Sequence, residues 1–235
     1  MANGGVNNHD GLGCARDSQR NRGLFSISAK PPYKSELVLG GYHGRQFNSL
    51  NDVVVHSDGP FWFMDPIYAW RQGIRPKPKL PNQVYRYHTH VMADGLGRLN
   101  GITFAPDEKT VYITDTAQTD DTTRIYSRAH HSDSYAFDVM TIHDQPFLAD
   151  RRVFAMASDG IPDGIKVDQK GNMYAGCGDG VNVWFAGGVL LGKILTKGGN
   201  SNFSFGRNGV MLILNENKLY RAQLSRGVHG TLIKS

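Results

Sequence analysis

Apolar and polar positions alternate over short runs through most of this chain, and each run stops at a cluster of Gly, Asn, Asp, Lys or Pro. Val53-Val54-Val55 passes through His56-Ser57-Asp58-Gly59-Pro60 into Phe61-Trp62-Phe63-Met64, and Gly101-Ile102 passes through Ala105-Pro106-Asp107-Glu108-Lys109 into Val111-Tyr112-Ile113. The phrase returns as Ile165-Lys166-Val167, Asp168-Gln169-Lys170-Gly171-Asn172 and Met173-Tyr174. It returns again, most worn, as Phe203-Ser204-Phe205, Gly206-Arg207-Asn208-Gly209 and Val210-Met211-Leu212. A two-residue period broken by a tight polar turn is the pattern of a β-hairpin. Each copy opens on a polar amide or acid, namely Asn51, Asn100, Asp163 and Asn202. Further short runs at 83–87, 124–126, 181–185 and 218–222 supply more strands, so each unit holds three or four. No segment carries a helical period with caps, which argues against crossover helices and a parallel sheet. The repetition predicts an all-β chain, a β-propeller in which each unit is one blade.

The copies start at residues 51, 100, 163 and 202, and loop insertions account for the uneven spacing. The longest insertion falls in the third unit, where residues 116–134 read as polar surface loop around the 124–126 strand. Residues 71–81 carry Pro76, Pro78 and Pro81 and are excluded from a central strand, because proline lacks the ladder donor. The 235-residue length and the repeat point to a single domain, 1–235. A net charge of +5 invites nucleic acid as partner, but the basic residues are scattered and none interleaves with aromatics, so that partner is set aside. Cys14 and Cys177 lie in different units and build neither a disulfide scaffold nor a thiolate zinc site. The amino-terminal residues are polar, and no apolar run has signal-peptide or membrane length, so the expectation is no membrane partner and a cytoplasmic location by default.

Asn51, Asn100 and Asp163 stand at equivalent strand mouths, and a propeller would aim all three at one end of its channel. Amide and carboxylate oxygens without thiolate or imidazole form the ligand set of a hard cation, calcium first, with magnesium or manganese as alternatives. The competing role is local turn capping, which Asn and Asp perform widely. A cation held there polarises an ester or lactone carbonyl. Asp163, the one formal anion of the three, serves as ligand, as general base, or as both. Asp65 and Asp115 each end a second strand and read either as support for the site or as turn residues. Phe47, Trp62, Tyr68 and Trp70 read as substrate wall or as inter-blade core. His88 and His90 share a strand face on this pattern and read as solvent-facing. No nucleophile elbow, phosphate loop or dinucleotide fingerprint occurs.

Three ordered phrases resemble the senescence marker protein, gluconolactonase and regucalcin family, with fungal lactonases the nearest in pattern. They are Phe47-Asn48-Ser49-Leu50-Asn51-Asp52-Val53 with Phe63-Met64-Asp65-Pro66, Leu99-Asn100-Gly101 with Ala105-Pro106-Asp107-Glu108-Lys109, and Gly160-Ile161-Pro162-Asp163-Gly164 with Asp168 and Gly171. The resemblance implies a six-bladed propeller with one divalent cation, usually calcium and sometimes zinc, and hydrolysis of sugar or other lactones as small-molecule substrates. It carries the metal role onto Asn51, Asn100 and Asp163, and only loosely reaches Asn202, Asp65 and Phe47 as supporting or substrate-contacting residues. The family's first-blade glutamate ligand, in a Glu-Gly-Pro type phrase, has no counterpart here. The first recognisable unit, from Gly4 to Ile27, resembles the family's second blade, so about five units are expected in an incomplete, amino-terminally truncated ring. The expected consequences are weaker calcium binding and self-association through open blade edges. The alternative function is a non-catalytic propeller that binds calcium or a partner, or an inactive shortened paralogue. The loops at 67–81 and 117–134, which would set substrate choice, carry no diagnostic residues.

Overall fold

Turn residues with positive φ, including Gly59, Gly171 and Gly188, close the hairpins that the alternation predicts. The computed structural model describes residues 2–8, 11–17, 22–88, 90–116, 133–215 and 217–231. The chain divides into two compact units at the junction of Asn100 and Gly101.

The first unit opens with β1 (Ala2–Asn8), β2 (Gly11–Asp17), β3 (Arg22–Ser28) and β4 (Ser35–Leu39), an antiparallel sheet in chain order. A small hairpin, β5 (Gly41–Tyr42) and β6 (Arg45–Gln46), leads to β7 (Val53–Val55) and β8 (Phe61–Asp65). One helical turn, α1 (Tyr68–Arg71), precedes β9 (Gln83–Arg86) and β10 (His90–Ala93), which complete a sheet in the order β10-β9-β8-β7. Leu24, Phe47, Leu50, Val53, Phe63 and Tyr85 form its core, with Phe47 edge-on to Phe63 at 5.3 Å between ring centroids. Such aromatic pairing adds to the burial of apolar area.

β11 (Leu99–Phe104), which enters the second unit at Gly101, forms one antiparallel sheet in chain order with β12 (Thr110–Asp115), β13 (Asp133–Ile142) and β14 (Gln145–Met156). The next is β15 (Ile165–Val167), β16 (Met173–Cys177), β17 (Gly180–Trp184) and β18 (Leu190–Leu195). The last has three strands, β19 (Asn202–Phe205), β20 (Val210–Leu214) and β21 (Leu219–Gln223). Gln169 and Thr231 tie the carboxy-terminal segment to this unit through main-chain bonds to His229 and Val167. Among the described residues there are thus five blade-type sheets, so the protein is all-β and of the β-propeller class. No helix of the described residues is long and apolar enough to cross a membrane.

The structure differs from the sequence expectations in two places, and one further expectation falls on residues it does not describe. The predicted 124–126 strand and most of its loop lie outside the described residues. His88 does not share a strand face with His90: it occupies a turn at φ 77, and His90 is the first residue of β10. The β13–β14 hairpin and β18 are strands that the alternation did not mark, because strands such as β14 are largely exposed and need no two-residue apolar period.

Candidate functional site

The stretch before β7 is fixed from below by Asp65. Its carboxylate accepts the main-chain N–H groups of Asn48 at 2.9 Å and Ser49 at 2.7 Å, and the residue is fully buried at the end of β8. Burial pushes the Asp65 carboxyl up to about 7, and the two N–H donors pull the other way. The Asn48 amide donates to the Leu80 carbonyl at 2.9 Å, and Arg75 Nη1 donates to the Asn48 and Phe47 carbonyls. The Asn51 N–H then donates to Met64 O at 3.1 Å, and Met64 N–H returns to Asp52 O at the same distance. With its backbone held in this way, Asn51 is 8% exposed and its Nδ2 donates to Asn100 Oδ1 at 2.7 Å. The first two sequence-predicted donors therefore meet.

Asp65 thereby anchors the main chain just ahead of Asn51. Phe47, weighed as a substrate wall, is 2% exposed and belongs to the core, as does Trp62, while Trp70 is exposed. Asp115, the matching strand end, is also buried.

In the second unit the strand mouths touch through glycine. Gly101 follows Asn100 in the chain, and a Cβ placed on it would fall 2.7 Å from the Asp163 carbonyl. The buried Thr114 hydroxyl bridges the same two residues: it accepts the Gly101 N–H and donates to Asp163 O, each at 2.7 Å. Asp163 N–H donates to Gly176 O at 2.8 Å. One mouth further on, Gly164 lies against the Asn202 side chain, whose Oδ1 would be 2.5 Å from a Cβ at residue 164. Asn202 Oδ1 also accepts the Phe203 N–H at 2.9 Å, so this amide oxygen opens its own strand. Behind them Cys177 is buried, and burial, aided by Asp179, pushes its thiol up to about 12 and makes it a poor nucleophile.

Thr114, Gly101 and Gly164 are the residues that the sequence reading missed. The Asn-Gly and Asp-Gly pairs at 100–101 and 163–164 were the available signal, since glycine immediately after a donor removes the side chain that would block the next strand mouth.

Among the described residues no three His, Cys, Asp or Glu side chains cluster as a metal site, so amide oxygens are the donors the Asn51–Asn100 pair offers. The pair fits a hard cation in one respect. Its Nδ2 to Oδ1 contact places two amide groups side by side, and rotation of the Asn51 amide exchanges a donor N–H for a second oxygen without moving the backbone.

Blade-type antiparallel sheets with polar side chains at the strand mouths define a β-propeller. Residues 20–211 match the SMP-30/Gluconolactonase/LRE-like region, and the chain belongs to that family. It is 29% identical over 188 residues to a lactonohydrolase of Aspergillus oryzae, covering 73% of this chain and 43% of the relative. It is 28% identical over 186 residues to a gluconolactonase of Zymomonas mobilis, covering 76% of this chain and 51% of the relative. The chain thus spans about half the length of these curated relatives. Its fold superimposes on a gluconolactonase from Xanthomonas campestris with a TM-score of 0.79 and 31% identity, over 94% of this chain and 71% of that one.

Proposed function

We propose that this chain hydrolyses the ester bond of a lactone, with Asn51, Asn100 and Asp163 holding a divalent cation. The observation that carries the proposal is the 2.7 Å contact between the Asn51 and Asn100 amides, residues 49 positions apart that share nothing but their place in the repeat. Family membership and the lactone-hydrolysing names of the relatives support it. An all-oxygen donor set with one carboxylate favours calcium, bound weakly for want of negative charge, over magnesium, manganese or zinc. When bound, such an ion supplies Lewis-acid polarisation of the lactone carbonyl. Asp163 contributes the carboxylate: one of its oxygens takes a proton from the water whose oxygen bonds to the carbonyl carbon. The ring C–O bond then breaks, its electron pair leaves on the former ring oxygen, and protonation there gives the open hydroxy acid. Asn51 and Asn100 would supply amide oxygens to the ion, and Thr114 fixes the main chain at Asp163.

The test is turnover of glucono-delta-lactone and of aliphatic and aromatic lactones by the purified chain. Chelation should abolish activity, calcium should restore it, and Asp163→Ala should lower kcat by at least about a hundredfold. Activity that survives both chelation and Asp163→Ala would sink the metal mechanism. A chain inert toward every lactone, yet raised in Tm by calcium, would have a binding function instead.

A further inference from the structure

A second feature of the first unit is a cleft between the β5–β6 hairpin and the 75–79 segment. Its volume is about 430 Å³, and its lining includes Arg45, Arg75, Lys77 and Lys79 but no Asp or Glu. That size lies in the range of small-ligand pockets. Arg75 is only 8% exposed, and its Nη1 is held by the Phe47 and Asn48 carbonyls, so the guanidinium has a fixed position. Burial lowers its pKa from the ordinary guanidinium value. Arg45, Lys77 and Lys79 are exposed, and among the described residues none has a carboxylate partner.

Local structure sets these charges in advance. The turn between β5 and β6 uses His43 at φ 44 and Gly44 at φ 74, the primed geometry that matches strand twist, and delivers Arg45 to the rim. Gly73 at φ 70 ends the helical turn, and Ile74 and Arg75 N–H groups both reach back to Ala69 O. Pro76 and Pro78 fix φ on either side of Lys77, so the two lysines are presented on a stiff segment with little entropy left to lose. Strands β7 and β8 are antiparallel, so Asn51 before β7 and Pro66 after β8 lie at one end of the sheet. The loop carrying Arg75 to Lys79 leaves from that end.

We propose that this cleft is a binding site for a small organic oxyanion, a molecule bearing carboxylate or phosphate, with Arg75 at its floor and Arg45, Lys77 and Lys79 at its rim. A concave pocket, rather than a basic stripe, selects a small molecule over a polyelectrolyte. The inference stands apart from the lactonase proposal, because its test reads binding and not turnover.

The experiment is isothermal titration calorimetry of the full chain at low salt with phosphate, gluconate, citrate and neutral glucose. Saturable binding of at least one anion is expected, with no heat from glucose. Phosphate against gluconate and citrate tells which anionic group the cleft prefers. The exposed-residue variant Lys77→Gln/Lys79→Gln should weaken the bound anion at least about tenfold and Arg45→Gln about threefold, by loss of charge-assisted bonds. Lys218→Gln, an exposed charge in the other unit, should leave affinity unchanged. The proposal is overturned if no anion binds below about 10 mM, a free energy near 3 kcal/mol. It is equally overturned if the double variant keeps wild-type affinity, or if Lys218→Gln weakens binding as much as the double variant does.

Discussion

Replacing Thr114 by valine removes one oxygen and keeps the shape, which isolates the hydroxyl that joins two strand mouths. Thr114 is fully buried, and its Oγ1 makes two bonds of 2.7 Å, accepting from Gly101 N–H and donating to Asp163 O. Each bond is worth about 1 kcal/mol net, and a main-chain group stranded beside the new methyl costs about 1–3 kcal/mol. The expected loss is therefore about 2–4 kcal/mol, or about 5–15 °C in Tm for a chain of this length. Thr114→Ser keeps the hydroxyl and gives up a methyl, about 0.8 kcal/mol. Urea denaturation of the three proteins measures the stability, and lactone turnover measures whether the Asp163 carboxylate has shifted. Thr114→Val should lower kcat beyond what Thr114→Ser does. A valine variant within about 0.5 kcal/mol of wild type would refute the bridge, and so would a serine variant damaged as badly as the valine.

The glycine contacts make a second forecast: Gly101→Ala drives a Cβ to 2.7 Å from both Asp163 O and Ile165 Cγ2 and should cost at least about 1–3 kcal/mol, whereas Gly192→Ala, with open space around it, should be neutral or slightly stabilising by denaturation. Asp65 makes the third. Its carboxyl is raised by burial from 3.8 to about 7, so folding takes up a proton between those values and its contribution to stability falls as pH rises from about 4 to about 7, by up to about 4 kcal/mol. Thermal melts across that window should show this slope in wild type and lose it in Asp65→Asn; parallel curves for the two proteins would contradict the assignment.

The inner hairpins were legible because their strands are buried and bounded by turn residues, as the wholly buried β8 and β16 show. The outer strands were not. In β14 mostly exposed and half-buried positions run from Phe147 to Phe154, and with little to bury, the sequence keeps no apolar period. Phe47 illustrates the converse limit: an aromatic beside a strand mouth announces burial, but only its packing against Phe63 and Tyr85 tells that it faces the core.

The donors of the candidate site were readable for a physical reason that their supports lacked. A repeated Asn or Asp before an apolar strand stands out because β-strands deplete these residues. Thr114 does not stand out, since threonine is an ordinary strand residue and its role depends on Asp163, 49 positions away. Gly101 and Gly164 fall between these cases. Glycine weakens a strand, so placing it directly behind a donor at two mouths needs a compensating gain, and the close approach of Asp163 to one and Asn202 to the other supplies it. The Asn-Gly and Asp-Gly pairs therefore describe one device. The first residue presents an oxygen, and the second clears the space that lets the next mouth come within reach.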